Sequence, residues 1–174
     1  MPAEQRRMTP GALKNPVLWL FLLAGFPAIG GAQLLNEAEP LPGIVTAGQP
    51  DAAELAELAE KGFVTVIDLR GEGEDRGFAE PAVVEDLGMS YISLPISGGE
   101  SITYENAAAL DAILNAADGP VLLHCASGNR AGALLSLRQR LIGDDAETAL
   151  GIGLAGGLSS PALREIVESR LDER

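Results

Sequence analysis

The sequence predicts an α/β sandwich of three layers, a short and mainly parallel sheet flanked on both sides by helices. Three observations predict it. Short apolar runs alternate with helical patterns from residue 43 to residue 171, the signature of strand–helix–strand units. The run FVTVIDL (63–69) is β-branched and almost continuously apolar, as suits a strand covered on both faces. VLLHC (121–125) passes directly into a tight Gly-containing loop and then a helix, and in parallel sheets ligands gather beyond such strand ends.

The elements follow in order. Residues 36–43, NEAEPLPG, read as an exposed lead-in, and GIVTAG (43–48) as a short strand. Asp51 opens a helix over 51–61: Glu54, three residues on, completes a capping box, and Gly62 stops it. After the strand at 63–69, RGEGEDRG is a polar, Gly-rich loop, and a short helix runs from Ala79 to Leu87. MSYISLPI (89–96) is a strand, and SGGES a loop. Thr103–Ala117 is a helix, VLLHC a strand after Pro120, and Arg130–Leu141 a helix. Two further helices occupy 144–154 and 161–171; the latter, like 51–61, has LxxL-type apolar spacing and a charged outer face, which suits a layer covering the sheet.

Charge narrows the function. The chain of 174 residues has a formal net charge of −13, with 12 basic and 25 acidic side chains. Nucleic acids and anionic membrane surfaces both require a basic face, so neither is a partner of the folded part. A large polyanion is repelled at long range, whereas a small anion held by local donors is not. One Cys permits no internal disulfide, and no Cys/His group has zinc-ligand spacing, so neither metal nor cofactor is called for.

Residues 1–35 read as an export segment. Arg6, Arg7 and Lys14 precede an uncharged run, Val17 to Leu35, that ends in small residues, AIGGAQ. Cleavage after Ala32 leaves Gly30 and Ala32 at the small-residue positions. It removes three basic residues and Glu4, giving (12 − 3) − (25 − 1) = −15 for the mature chain. The alternative is an uncleaved anchor, since a span takes about 20 apolar residues; Pro27 and Gly30–Gly31 weaken such a helix. Either way residues 36–174 form the globular domain outside the cytoplasm, in the periplasm or its equivalent, with the basic tail inside. A membrane enters only through this segment, if it is retained.

The chemistry-bearing stretch is VLLHCASGNRAG (121–132), which holds the single Cys and the single His. Ala126, Ser127, Gly128 and Asn129 carry no bulk, and Gly128 can adopt angles that other residues resist. Such a loop turns successive N–H groups inward as an anion nest, and the next helix adds its N-terminal donors. Both favour a thiolate at Cys125. Arg130 supplies a planar fork for two oxygens of an oxyanion. The bland reading makes Cys125 a small buried hydrophobe and Arg130 a surface charge. His124, next to Cys125 on a strand, points to the opposite face and is expected to support the loop by a hydrogen bond to backbone rather than act as base. Arg70, at a neighbouring strand end, faces the anion or pairs with Glu72 or another nearby carboxylate; pairing is the preferred reading.

GIVTAGQP, GFVTVIDLRGEGED, GMSYISLPI and VLLHCASGNRAG together resemble the beta-lactamase-hydrolase-associated phosphatase-like family, a bacterial branch of the dual-specificity and tyrosine phosphatase fold. The likeness covers roughly residues 43–155 and is most specific at GQP (48–50), DLR (68–70) and the HC-x-x-G-x-R loop. It implies a phosphatase-like sandwich, with Cys125 as nucleophile and Arg130 as anion clamp.

Three features depart from ordinary tyrosine phosphatases. Four residues separate Cys125 from Arg130, where those enzymes have five; the shorter loop and the wording CASGNR are similar to rhodanese sulfurtransferases, whose cysteine carries one extra sulfur. Ala131 stands where a Ser or Thr assists thiolate departure. SLPISGGES carries no Asp where a general acid belongs; Glu100 is the nearest carboxylate on that loop, with Glu72, Glu74 and Asp75 on another. Each of these singly reads more readily as a solvated surface charge. The expected function is therefore a cysteine-dependent phosphatase-like hydrolase acting on a small phosphoester. The alternatives are a sulfurtransferase taking sulfur from an anionic donor, and a non-catalytic anion- or partner-binding domain.

Overall fold

A computed structural model describes residues 33–173 of the chain. The strands are β1 (Ala38–Leu41), β2 (Ile44–Ala47), β3 (Thr65–Asp68), β4 (Ser90–Ser93) and β5 (Val121–His124). They lie in the order β1-β2-β5-β3-β4, so the strand latest in sequence is the middle of the sheet. β2 and β3 run parallel to β5 on either side, and β4 runs parallel to β3. The β1–β2 pair is antiparallel, which makes the sheet mixed and mainly parallel, as expected.

Register decides what meets at the carboxyl edge. Val121 lies beside both Ile44 and Thr65, and His124 beside both Ala47 and Asp68. Three strands therefore end level, and the segments beginning at Gly48, Leu69 and Cys125 emerge together.

The helices are α1 (Ala52–Glu60), α2 (Glu80–Asp86), α3 (Tyr104–Ala116), α4 (Asn129–Ile142), α5 (Ala146–Ala155) and α6 (Pro161–Asp172). α1 begins where the capping box requires: Asp51 Oδ1 accepts from the amides of Ala53 and Glu54, both at 2.8 Å, and the Glu54 carboxylate accepts from the Asp51 amide at 2.7 Å. Such a cap contributes about 1 kcal/mol. Adjacent residues of the central strand bury themselves in opposite cores. Leu122 packs with Val66, Leu55, Leu58 and Val84 on the α1–α2 side. Leu123 packs with Ile67, Leu110, Leu134 and Val167 on the side of α3, α4 and α6. This two-sided burial is why the strands read as continuous apolar runs, and each wholly buried Leu contributes about 1.5–3 kcal/mol.

Element boundaries differ from expectation by one or two residues at most ends, and one strand was not expected. AEPL, read as lead-in, forms edge strand β1 and folds back on β2 through Pro42–Gly43, with Gly43 at φ +75°. An edge position, with its register shift between Ala38 and Leu41, tolerates Pro40, which has no amide to donate to a ladder. Most of the expected export segment, residues 1–32, lies outside the described residues. Among the described residues, no helix is long and apolar enough to cross a membrane. Leu34, within the expected leader, packs into the α1–α2 core.

Candidate active site

Cys125 follows β5 directly, and the loop that leaves it is fastened to the end of β2 and to the segment before β1. The Cys125 amide donates to Ala47 O at 3.4 Å, the Gln49 amide to Ala126 O at 3.3 Å, and Asn36 Nδ2 to Ser127 O at 3.0 Å. Gly128, at φ +85°, turns the chain into α4 and aims its own amide at the Cys125 sulfur, 3.2 Å away. An L side chain is strained there, so glycine is the residue that lets the backbone reverse toward the thiol. The sulfur thus sits before the N-terminus of α4, within reach of the Gly128 amide. Cys125 itself exposes no surface, whereas Ala126 and Ser127 of the same loop are exposed.

Arg130 lies one residue into α4. Its Nη1 donates to Glu74 Oε1 at 2.5 Å and to Ile96 O at 2.9 Å, and its Nη2 to Glu74 Oε2 at 2.7 Å. Glu74 is held in turn by the Gly71 amide at 2.8 Å. The Arg130 hydrogen bond, with help from that amide and against burial, keeps the Glu74 carboxyl below its ordinary pKa. Reciprocally, Glu74 raises the Arg130 pKa against burial, and the neighbouring Cys125 sulfur adds to the rise. Nucleophile candidate and guanidinium are therefore side by side, as the spacing C-x4-R predicts.

The two carboxylates singled out as acids are elsewhere. Asp75 is exposed and accepts from the Gly77 amide within its own loop at 2.8 Å. Glu100 is exposed in the 3₁₀ turn Gly99–Ser101, its carboxylate folded over Gly98. Neither makes a hydrogen bond or ion pair with Cys125 or Arg130. Glu74, which does, is ionised and can only accept.

Beneath the loop, on the α1–α2 face, lies a buried ionic cluster. Arg70 pairs with Asp68 (Nε–Oδ1 2.8 Å, Nη2–Oδ2 3.0 Å) and, at very close range, with Glu80; all three side chains have no exposure. Arg76 Nε and the Tyr91 hydroxyl donate to the second Asp68 oxygen, at 2.9 and 2.7 Å. Burial raises the Asp68 pKa, but donation from Arg70 and Tyr91 outweighs it and leaves the carboxyl far below its usual range. Burial and the Asp68 contact push Tyr91 up to about 12. Arg70 thus pairs through Nε and Nη2 with Asp68 and Glu80 rather than Glu72, leaving a buried Nη1 without a hydrogen-bond partner, and it lies in this cluster rather than beside Cys125. His124 points to this face, away from Cys125, as the strand alternation requires. Its support is not the expected bond to backbone: Nε2 approaches Glu80 Oε1 at 2.8 Å, without the alignment of a hydrogen bond. Asp68, Glu80 and His124 offer three donor atoms within 4.8 Å of one another. A metal ion there would have to displace Arg70, which already bridges both carboxylates, so the set does not fit a cation.

Fold and loop together define the class: a phosphatase-like α/β sandwich with a cysteine–arginine loop at the end of its central strand. Residues 41–142 match the family described as beta-lactamase hydrolase-like protein, phosphatase-like domain, and the chain belongs to that family. The beta-lactamase hydrolase-like protein of Agrobacterium fabrum (strain C58 / ATCC 33970) is 35% identical over 104 residues, 58% of this chain and 24% of that protein. The chain thus spans about a quarter of the length of the curated relatives it matches. Among solved structures, nma1982 of Neisseria meningitidis z2491 is 20% identical with a TM-score of 0.66, covering 80% of this chain and 98% of that one. TpbA of P. aeruginosa in complex with phosphotyrosine is 21% identical with a TM-score of 0.62, covering 84% and 91%. Both likenesses are of fold.

Proposed function

We propose that this chain is a cysteine-dependent phosphatase-like hydrolase acting on a small phosphoester. The observation that carries the reading is the Gly128 amide on the Cys125 sulfur at 3.2 Å, with Arg130 beside it, at the carboxyl edge of a phosphatase-like sheet. The Cys125 thiolate attacks phosphorus, the P–O bond to the leaving group breaks, and a phosphocysteine forms. Water then attacks that phosphorus, the S–P bond breaks, and phosphate and thiolate are released. Loop amides and Arg130 stabilise the equatorial oxygens in both steps. Phosphotyrosine bound by TpbA supports a substrate of this chemical class.

Two specific features favour a second reading, sulfur transfer. The loop has four residues between Cys125 and Arg130, and neither Asp75 nor Glu100 touches the site. A persulfide is smaller than a phosphoryl group, and sulfite leaves thiosulfate without protonation. Cys125 would take the outer sulfur from thiosulfate and pass it to cyanide or a thiol, with Arg130 orienting the donor.

One paired assay separates them. The full-length chain is given an aryl phosphate and, separately, thiosulfate with cyanide. Phosphate release lost in Cys125→Ser supports the hydrolase, and Arg130→Lys should lower it by about 10²–10³. Thiocyanate without phosphate overturns the hydrolase in favour of sulfur transfer. An absence of both products overturns both. The extracytoplasmic placement of the domain is part of the same proposal, supported by the basic, apolar, small-residue order of residues 1–35. Fractionation of producing cells tests it, and a full-length cytosolic chain overturns it.

A further inference from the structure

Asn129 opens α4 between Gly128 and Arg130, and its side chain reaches from the Cys loop to the α5–α6 connection. Its Oδ1 accepts from the Ser160 amide at 2.6 Å, the Ser159 amide at 2.8 Å and the Ser159 hydroxyl at 3.3 Å. An oxygen gripped by two backbone amides settles which end of the side chain is nitrogen. Nδ2 therefore faces the loop, where it donates to Ser127 Oγ at 3.4 Å. One side-chain amide thus joins the loop that holds Cys125 to a turn lying outside the family match, which ends at residue 142.

The two halves of the loop are fastened differently. Ala126 is tied to the end of β2 through Gln49, and Ser127 to the segment before β1 through Asn36. The second half, where the chain becomes α4, is tied through Asn129. Arg130 follows that residue directly, so the direction in which α4 sets out decides where the guanidinium stands relative to the sulfur. We propose that Asn129 is a positioning residue, through which the α5–α6 turn sets the placement of Arg130 and of the Gly128 amide. The role rests on the cysteine chemistry proposed above. Asn129 is partly exposed and belongs to neither apolar core, so removing its side chain leaves the core packing intact. The loss should therefore fall on the reaction more than on the fold.

The test compares full-length wild type with Asn129→Ala and Asn129→Asp, using an aryl phosphate for kinetics and orthovanadate and inorganic phosphate for binding. A misplacement of an ångström costs up to about 10²-fold, so Asn129→Ala should lower kcat on the order of 10- to 100-fold. Binding of orthovanadate, which mimics the five-coordinate transition state, should weaken by a similar factor, and phosphate by much less. Asp presents an oxygen to the same two amides, so Asn129→Asp should recover most of kcat. Its added charge beside the anion pocket should raise KM instead. Local unfolding gives a different result: fewer active molecules, with both dissociation constants unchanged. That result overturns the proposal, as does wild-type kcat in Asn129→Ala or an Asp variant no better than Ala. An active wild type with an indifferent Asn129 sinks this inference alone. A wild type that neither turns over nor binds orthovanadate sinks the cysteine chemistry, and the positioning role with it.

Discussion

Glu74 holds Arg130 by both carboxylate oxygens, at 2.5 and 2.7 Å, across 56 residues of sequence. Of the guanidinium's five N–H groups, two serve Glu74 and one serves Ile96 O, and the guanidinium also interacts with the Cys125 sulfur; Nε–H and one Nη2–H are engaged by neither Glu74 nor Ile96. Those two form the side fork of the guanidinium, which matches two oxygens of an oxyanion. Glu74 therefore fixes one edge of Arg130, and in the proposed reaction the other edge is the one that would meet the phosphoryl oxygens.

Removing that hold should cost activity. Glu74→Ala frees a long side chain that must then be ordered in each turnover, at about 0.5–1.5 kcal/mol per immobilised side chain. The expected result is roughly a 2- to 12-fold lower kcat/KM for an aryl phosphate, by the same conversion of free energy to rate. Glu74→Gln keeps one acceptor and should lose less. Equal losses in the two variants would show that charge, not tethering, is what Glu74 supplies.

The carboxylates away from the site lead to a prediction about leaving groups. With neither Asp75 nor Glu100 bonded to Cys125 or Arg130, the proposed hydrolysis would proceed without either of them protonating the departing oxygen. Missing general-acid help costs about 10²–10⁴. Alkyl phosphates, whose alkoxides are strongly basic, should therefore be hydrolysed slower than p-nitrophenyl phosphate by about that factor, beyond any difference in binding. Rates that are flat across a series of leaving-group pKa values would mean that a carboxylate swings in during turnover.

Asp68 is the keystone of the buried cluster, accepting from Arg70, Arg76 and Tyr91. Asp68→Asn leaves two guanidiniums short of a counter-charge, and breaking a buried pair in this way costs about 3–5 kcal/mol. The denaturant midpoint should fall accordingly. The pH dependence has a definite sign. The folded pKa of Asp68 is depressed, so its contribution is present above the ordinary carboxylate pKa and lost as pH falls through the lower folded value. Tyr91, raised to about 12, contributes below the ordinary phenol pKa and loses that contribution as pH climbs through the raised one. Urea midpoints across pH check both limbs, and a stability unaffected by Asp68→Asn would contradict the cluster.

The sequence carried the sandwich because its strands are buried on both faces and its helices are capped by local residues, as Asp51 and Glu54 show. β1 escaped notice because Glu39 and Pro40 break any strand pattern, although the Pro42–Gly43 turn was a usable hairpin signal. The C-x4-R loop was legible because its parts lie within six residues. The Glu74–Arg130 pair and the Asn129 tie were not, since each joins segments that only the folded sheet brings together. Glu80 was hidden differently: in sequence it is one more acid in an acidic chain, and its partners Arg70 and His124 lie on other elements.

The C-terminal helices should reveal their attachment to α4 through two glycines that respond in opposite ways. At Gly132 an added methyl would lie 2.4 Å from Gly153 O and 2.6 Å from the Leu158 amide nitrogen, both backbone atoms that cannot yield. Gly132→Ala must push α5 from α4, and overpacking of this kind costs about 1–3 kcal/mol. The same shift moves the turn that grips Asn129, so catalysis should fall along with stability. At Gly151, an exposed position inside α5, an added methyl meets nothing within 4 Å. Gly151→Ala should therefore stabilise by about 0.5–1 kcal/mol, because alanine loses less backbone entropy in a helix. Urea denaturation of the two single variants reads both effects. A neutral Gly132→Ala would mean that α5 packs more loosely on α4 than the backbone contacts at Gly153 and Leu158 require.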